Sequence, residues 1–296
     1  MNSITVDVEE YFHAANLEPV AGPARWHALE SRVEHSTDRL LSLYSELGLR
    51  STFFVLGTTA RRHPELVKRI AAAGHEVASH GYGHRLVRSQ SERAFYRDVR
   101  KSKLLLEDLT GESVLGYRAP NFSIREDTRW AYDALVRAGY LYDSSLHPIA
   151  HPRYGNTHRS IHPERIETNS GPLFELPLSV FQYTFSGSRE VRLPCSGGAY
   201  WRLFPTALIV ALLRNTLARS DNLVCYIHPW EIDSGQPVFR QLSALTRIRH
   251  YWGTRSLPKV ISRVARLDRT EPLRETLFRL FPDSKREAEQ RCHPHQ

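Results

Sequence analysis

Cysteine is scarce in this sequence. Cys195, Cys225 and Cys292 stand far apart, with no CxxC pair and no even-numbered framework. That usage argues against a disulfide scaffold and fits reduced, cytosolic thiols. Cys225 sits in the apolar run Leu223–Ile227 and reads as a small buried hydrophobe. Cys292 with His293 and His295 reads as a terminal tail. Long apolar runs are missing too: the greasiest helical stretch, Ala207–Leu213, falls far short of the roughly 20 apolar residues a bilayer span needs. A basic segment leading into an apolar one is absent from the N-terminus, where strand-like Ile4-Thr5-Val6 comes at once. We therefore expect no signal peptide and a cytoplasmic protein, at most peripheral to a membrane. No internal repeat, nucleic-acid recognition motif or basic stripe interleaved with aromatics is present, which argues against a nucleic-acid partner.

Hydrophobic residues make up 41% of 296, enough for a sizeable core. The net charge of +8 favours an anionic partner such as a phosphate-linked lipid or a membrane surface. Much of the Arg, however, lies near the C-terminus, in Arg263–Arg269 and Arg286–Arg291, where a solvated basic helix is the plainer explanation. Short β-rich runs alternate with helical patterns. Strands are predicted over 3–8, 51–56, 76–79, 115–118, 142–145 and 173–178, and helices over 35–47, 63–73, 92–109 and 127–138. Such alternation implies a parallel sheet wrapped by helices. Residues 150–170 read as a long loop crossing the rim, and 181–201 as an inserted hairpin. Residues 261–296 read as a basic helical extension on the outside of a barrel that occupies 1–260.

Polar clusters follow the strands: Asp7 to Glu10, His80 to His84, Arg118 to Ser123, Asp143 to Ser145, and His228 to Glu231. In a β/α barrel these strand ends share one rim, where active sites lie. His80 and His84 are four residues apart across Gly81 and Gly83, a spacing for two imidazoles on one metal. Alternation puts Asp7 and Glu9 on the same side of an extended chain. A His-His-carboxylate set leaves coordination positions open, as hydrolytic zinc sites require. Amide hydrolysis also needs a base, an acid and an oxyanion donor. Asp7 suits the base with Glu9 on the metal, His228 the acid, and Arg118 a partner that holds Asp7 ionised.

These stretches resemble the NodB-type polysaccharide deacetylases, carbohydrate esterase family 4, and more narrowly the branch associated with exosortase and exopolysaccharide clusters. The likeness rests on Thr5–Phe12, Ser51–Gly57, Ser79–His84, Gly116–Ser123, Tyr142–Ser145, Gly197–Leu203 and Tyr226–Glu231, and covers roughly residues 1–260. It implies an α/β fold, a distorted (β/α)7 barrel with a C-terminal helical extension, and a divalent ion of the zinc type. By resemblance Asp7 is the base, His80 and His84 are metal ligands, Arg118 orients the base and His228 is the general acid. The backbone N–H near Asn121 donates to the oxyanion. Two departures stand out. The family places adjacent aspartates in its first motif, whereas Val8 follows Asp7 here, so the ligand is Glu9 or Glu10. The Ser/Thr usual after the first metal histidine is Gly81. Asp143 is expected to join the site through Arg118 or His228, and Tyr11 and Trp230 are the aromatics expected to stack on a sugar. The function implied is removal of N-acetyl groups from N-acetylglucosamine-like sugars of an exopolysaccharide or its lipid-linked precursor. An amidase acting on a small non-sugar amide and a non-catalytic carbohydrate binder are the alternatives.

Overall fold

The protein is represented by a computed structural model, which describes residues 1–151, 155, 159–184, 190–220 and 222–292. Ten strands form: β1 (Asn2–Val8), β2 (Thr52–Val55), β3 (Glu76–Ser79), β4 (Gly116–Tyr117), β5 (Tyr142–Asp143), β6 (Glu164–Thr168), β7 (Gly171–Glu175), β8 (Val180–Thr184), β9 (Glu190–Pro194) and β10 (Leu223–Ile227). Eight of them build one sheet in the order β10-β1-β2-β3-β4-β5-β7-β6. All neighbours pair in parallel except β6 with β7. Seven parallel strands with helices outside are the (β/α)7 arrangement the sequence implied. The distortion lies at the seam, where β10 meets the chain after β7 through Ser179 N–H to Val224 O at 3.0 Å.

Strand alternation sorts the side chains into two layers. Ile4, Val6, Phe53, Val55, Cys225 and Ile227 face outward into the larger apolar cluster beneath the helices. That cluster takes the apolar faces of the helices Val33–Glu46, Glu92–Thr110 and Trp130–Ala138, through residues such as Leu40, Tyr44, Val99, Leu106 and Leu135. Phe54, Ala78, Tyr142, Phe174, Leu176, Val224 and Tyr226 face inward and fill the barrel. On the same inward rows, Thr5, Asp7, His80 and Arg118 are buried polar groups, so the interior turns from apolar to charged toward the C-terminal rim.

Several expectations are corrected. The C-terminal segment lies only partly on the outside: Ile261 and Val264 join the outer cluster, and the later part does not. Leu273 and Leu277, on the helix Leu273–Leu280, join the inward-facing cluster and close the floor of the barrel. Leu273 N–H reaches Thr52 Oγ1 at 2.7 Å, Arg274 N–H reaches Glu76 Oε2 at 2.9 Å, and Ser3 Oγ donates to Glu271 O at 2.9 Å. Two of its arginines are tied to the fold: Arg279 pairs with Glu271 at 2.8 Å and Arg291 donates to the carbonyls of Tyr140 and Pro172, while Arg263, Arg266 and Arg269 stay exposed. The predicted rim loop contains β6, whose one buried residue, Ile166, gives too little periodicity to announce a strand. The inserted hairpin is β8–β9 and ends at Pro194; Gly198–Leu203 is a helix. Residues 152–154 and 156–158 of the predicted loop, 185–189 of the hairpin, and the His293–His295 part of the tail lie outside the described residues. Among the described residues no helix is long and apolar enough to cross a membrane.

Candidate active site

Each functional side chain sits where a strand ends. β1 stops at Val8, and the chain bends so that Glu9 N–H bonds Asp7 O at 3.0 Å. Asp7 and Glu9 therefore both reach the barrel mouth. β3 stops at Ser79 and turns through His80–His84. The turn is pinned by Tyr82 N–H to Asp98 Oδ2 at 2.7 Å and by Gly57 and Thr58 N–H to the carbonyls of Gly81 and Tyr82. Gly81 has φ of +76°, and a Cβ there would lie 3.2 Å from Asp98 Oδ2. At this left-handed φ an L side chain is strained and its Cβ tight against Asp98, a setting that favours the glycine found here.

Glu9, His80 and His84 each offer a ligand atom within 4.8 Å of the others, all three buried. Glu9 Oε2 is 2.6 Å from His84 Nε2 and 3.8 Å from His80 Nε2, yet it has no hydrogen bond of good geometry. An orphaned buried carboxylate oxygen between two imidazole nitrogens fits a divalent cation. His80 Nδ1 bonds Arg118 O at 2.8 Å, which turns Nε2 toward the cluster as a metal ligand requires. Burial raises the Glu9 carboxyl, but the imidazoles of His84, His228 and His80 outweigh it and hold the group well below the usual carboxylate range. Burial pushes His80 down to about 4, so its ring is a neutral donor at physiological pH.

Of the two carboxylates, Glu9 and not Glu10 stands beside the histidines. Glu10 points away and accepts from Ser31 Oγ, Arg32 N–H (2.9 Å) and Val33 N–H (3.2 Å), capping the helix Val33–Glu46. The pairing of Asp7 with Arg118 is present at 2.8 Å. Arg118 is fully buried, and its other donors reach Thr5 Oγ1, Ser144 O and Ser144 Oγ at 2.6–3.0 Å. Its guanidinium lies 4.1 Å over the Phe54 ring. Every face of this cation is therefore met, the condition for burying a charge. Asn121 has φ of +52° and Phe122 of +51°, and His84 is likewise left-handed at +53°. Three such non-glycine residues store strain of about 1–3 kcal/mol each, all at the mouth.

His228 Nε2 lies 3.2 Å from Glu9 Oε1, while Nδ1 lies 3.2 Å from Glu231 Oε2. Glu231 is in turn held by Arg202 Nε at 3.0 Å, deep under the rim. Burial lowers His228, but Glu9 and Glu231 outweigh it and carry the ring up to about 9. Against burial, Arg202 and His228 hold Glu231 below its ordinary value. The sequence reading missed Glu231 and Arg202, although both lie in stretches it singled out. A Cβ on Gly198 would come 2.1 Å from Glu231 Oε2, so the glycine is the space the carboxylate occupies. His13 was missed as well: its ring stacks on His84 at 4.8 Å.

Three expectations fail on geometry. Asp143 reaches neither Arg118 nor His228. It accepts from Ser145 N–H (3.1 Å) and Ser145 Oγ (2.6 Å), and Ser145 Oγ accepts from Ala119 N–H at 2.8 Å. Asp143 thus braces the Arg118–Asn121 segment from below. Burial and the neighbouring Asp143 push Glu175 far up, so Glu175 carries the proton this carboxyl pair shares. Tyr11 is buried with Phe12, Leu17 and Trp230, and desolvation takes its hydroxyl up to about 12. Trp230 is sandwiched between His228 at 5.2 Å and His250 at 4.6 Å. Neither ring has a face left for a sugar. Trp230 instead fixes the plane of His228.

Residues 23–140 match the model of the polysaccharide deacetylase family, and residues 144–275 match that of a domain of unknown function, DUF3473. Over the first stretch the chain is similar to the polysaccharide deacetylases. The deacetylase match holds His80, His84, Arg118 and Asn121. Asp7 and Glu9 precede it, and Arg202, His228 and Glu231 fall within the second match. The cluster at the mouth is therefore complete in neither match alone. Among curated proteins the chain is similar to a peptidoglycan deacetylase of Helicobacter pylori, 35% identical over 108 residues, 36% of each chain. It is also similar to a chitooligosaccharide deacetylase of Rhizobium leguminosarum, 30% identical over 118 residues, 39% of this chain and 49% of the other. The matches span a third to a half of the length of such relatives. In fold it is similar to a solved structure of the polysaccharide deacetylase class from Mycobacterium smegmatis (24% identity, TM-score 0.60, 91% and 85% of the two chains). Another of that class, from Pseudomonas aeruginosa, gives 17%, 0.61, 100% and 92%. The Puue allantoinase shares the fold at 16% identity and TM-score 0.58 over 100% and 91%.

Proposed function

We propose that the chain is a metal-dependent hydrolase that removes N-acetyl groups from an amino sugar, N-acetylglucosamine or a close relative. The observation that carries this is the orphaned Glu9 Oε2 between His80 and His84, with the Asp7–Arg118 pair beside it. A divalent cation held by Glu9, His80 and His84, zinc by the character of the donors, would polarise the acetyl carbonyl and acidify a water. Asp7, positioned by Arg118 at 2.8 Å, takes the proton of the attacking water. The N–H of Asn121 donates to the oxyanion that develops on the carbonyl oxygen. His228, held by Glu231 and Trp230, gives the proton at Nε2 to the departing amine, and acetate leaves. We place the substrate in an exopolysaccharide or its lipid-linked precursor and the enzyme in the cytoplasm, where basic residues around Arg263 and Arg269 would meet anionic headgroups. Unchanged liposome binding of an Arg263→Glu and Arg269→Glu variant sinks that membrane contact.

Acetate release from N-acetylglucosamine oligomers by the metal-replete protein tests the central claim, with Asp7→Asn as control. The amidase alternative stands because an allantoinase shares the fold. A panel of cyclic and linear amides run in the same assay separates the two. A chain that binds the oligomers and releases no acetate is a carbohydrate binder.

A further inference from the structure

A cavity of about 260 Å³ lies beside the metal-ligand cluster, lined by His13, Trp26, His27, Thr58, Arg62 and His63 among others. It is smaller than the roughly 300–1,000 Å³ of pockets that take drug-sized ligands, so it suits one ring or one substituent. The wall it shares with the cluster is one imidazole thick: His13 stacks on His84 at 4.8 Å, and Trp26 meets His84 edge-on at 6.0 Å. The indole is locked in place, with Nε1–H bonded to Ala21 O at 2.9 Å and its ring against Phe12 and His13.

The charges around the cavity are unequal. Its acid, Glu10, is already committed to Ser31 Oγ and two backbone N–H groups. His63 is engaged by Glu34 at 3.1 Å and by Ser31 at 3.2 Å. His13 is buried. Its Nδ1 accepts from Glu10 N–H at 3.3 Å, leaving the ring proton on Nε2. Arg62 has no acidic partner among the described residues; the ion pairs of this region use Arg32 and Arg69 instead. Arg62, exposed and lining the cavity without a carboxylate partner among the described residues, is free to receive a planar or tetrahedral anion.

We propose that this cavity is an anion-accepting subsite, in which Arg62 binds a carboxylate or phosphate carried next to the acetamido group while Trp26 backs the sugar that bears it. The inference rests on the sugar-deacetylase reading and narrows its substrate to an acidic glycan or a phosphate-linked precursor.

Binding to an Asp7→Asn background, measured by calorimetry, tests it without turnover. The probes are a tetrasaccharide alternating N-acetylglucosamine with glucuronate, UDP-N-acetylglucosamine, and the neutral N-acetylglucosamine tetramer. The expected result is that an acidic probe binds at least tenfold tighter than the neutral one at low salt, and that adding Arg62→Ala removes the difference. Whichever acidic probe is tighter identifies the carboxylate or the phosphate as the natural group. Equal affinity for acidic and neutral probes, or an advantage that survives Arg62→Ala, overturns the subsite. A wild-type chain that shows the Arg62-dependent preference and releases no acetate keeps the subsite and removes the hydrolase.

Discussion

The two ends of the barrel handle buried polar groups in opposite ways. At the floor, Glu76 is buried and fully answered: Thr52 Oγ1 at 2.6 Å, Tyr142 hydroxyl at 3.0 Å and Arg274 N–H at 2.9 Å all donate to it. At the mouth, Glu9 is equally buried and keeps one oxygen without a well-formed hydrogen bond. The floor has apolar Leu273 and Leu277 sealing it; the mouth has left-handed His84, Asn121 and Phe122. The contrast between these two glutamates, one answered and one keeping an oxygen without a hydrogen bond, is what points to the mouth as the candidate ligand site.

Substitutions at the two ends should therefore separate activity from stability. The largest effect is expected at the mouth. Asp7→Asn should lower kcat per folded molecule by about 10²–10⁴-fold with metal content held, and should also lower the melting temperature because buried Arg118 loses its carboxylate. Unchanged kcat per folded molecule would remove Asp7 as the base. Leu277→Ala at the floor should do the reverse, costing about 2–5 kcal/mol of stability with activity per folded molecule unchanged; denaturant melts beside active-site titration read both. Gly198→Ala tests the link between them. Overpacking against Glu231 should cost about 1–3 kcal/mol and also displace His228, lowering kcat without changing bound metal. Wild-type kcat in this variant would mean the Glu231 support is idle.

The smallest effect is expected below the rim. Glu175 is pushed up by burial and by Asp143. A carboxyl raised in the folded state contributes its stability below the unfolded pKa and loses it as pH climbs through the folded value. Glu175→Gln, which needs no proton, should flatten the alkaline fall in melting temperature and change little at acidic pH. An unchanged alkaline profile would put the shared proton elsewhere.

Much of this was legible before any coordinates, for identifiable reasons. β3 falls on Glu76–Ser79, as its short run between Gly74 and His80 implies. Period-two alternation brought Asp7 and Glu9 to one side, and the His80–His84 spacing brought two imidazoles to meet them. What stayed hidden depends on partners distant in sequence. Nothing near Glu10 shows that it caps a helix start more than twenty residues on. Nothing in Tyr11 or Trp230 shows that other rings cover their faces, since an aromatic beside a rim looks the same whether stacked or open. The helix Gly57–Arg62 is too short for periodicity to register. The amphipathic pattern of 273–280 reveals an apolar face but not that the face seals a barrel.

The floor has one more consequence, in time rather than space. Asn2 N–H bonds Arg269 O at 2.8 Å and Asn2 pairs with Thr270, so the opening strand is completed by residues made long after it. Contacts of such sequence separation form slowly. Until they form, the underside of the nascent barrel stands open to water, with Phe54, Tyr142 and Phe174 exposed from below. A chaperone that shields a half-made sheet would find its longest opportunity there.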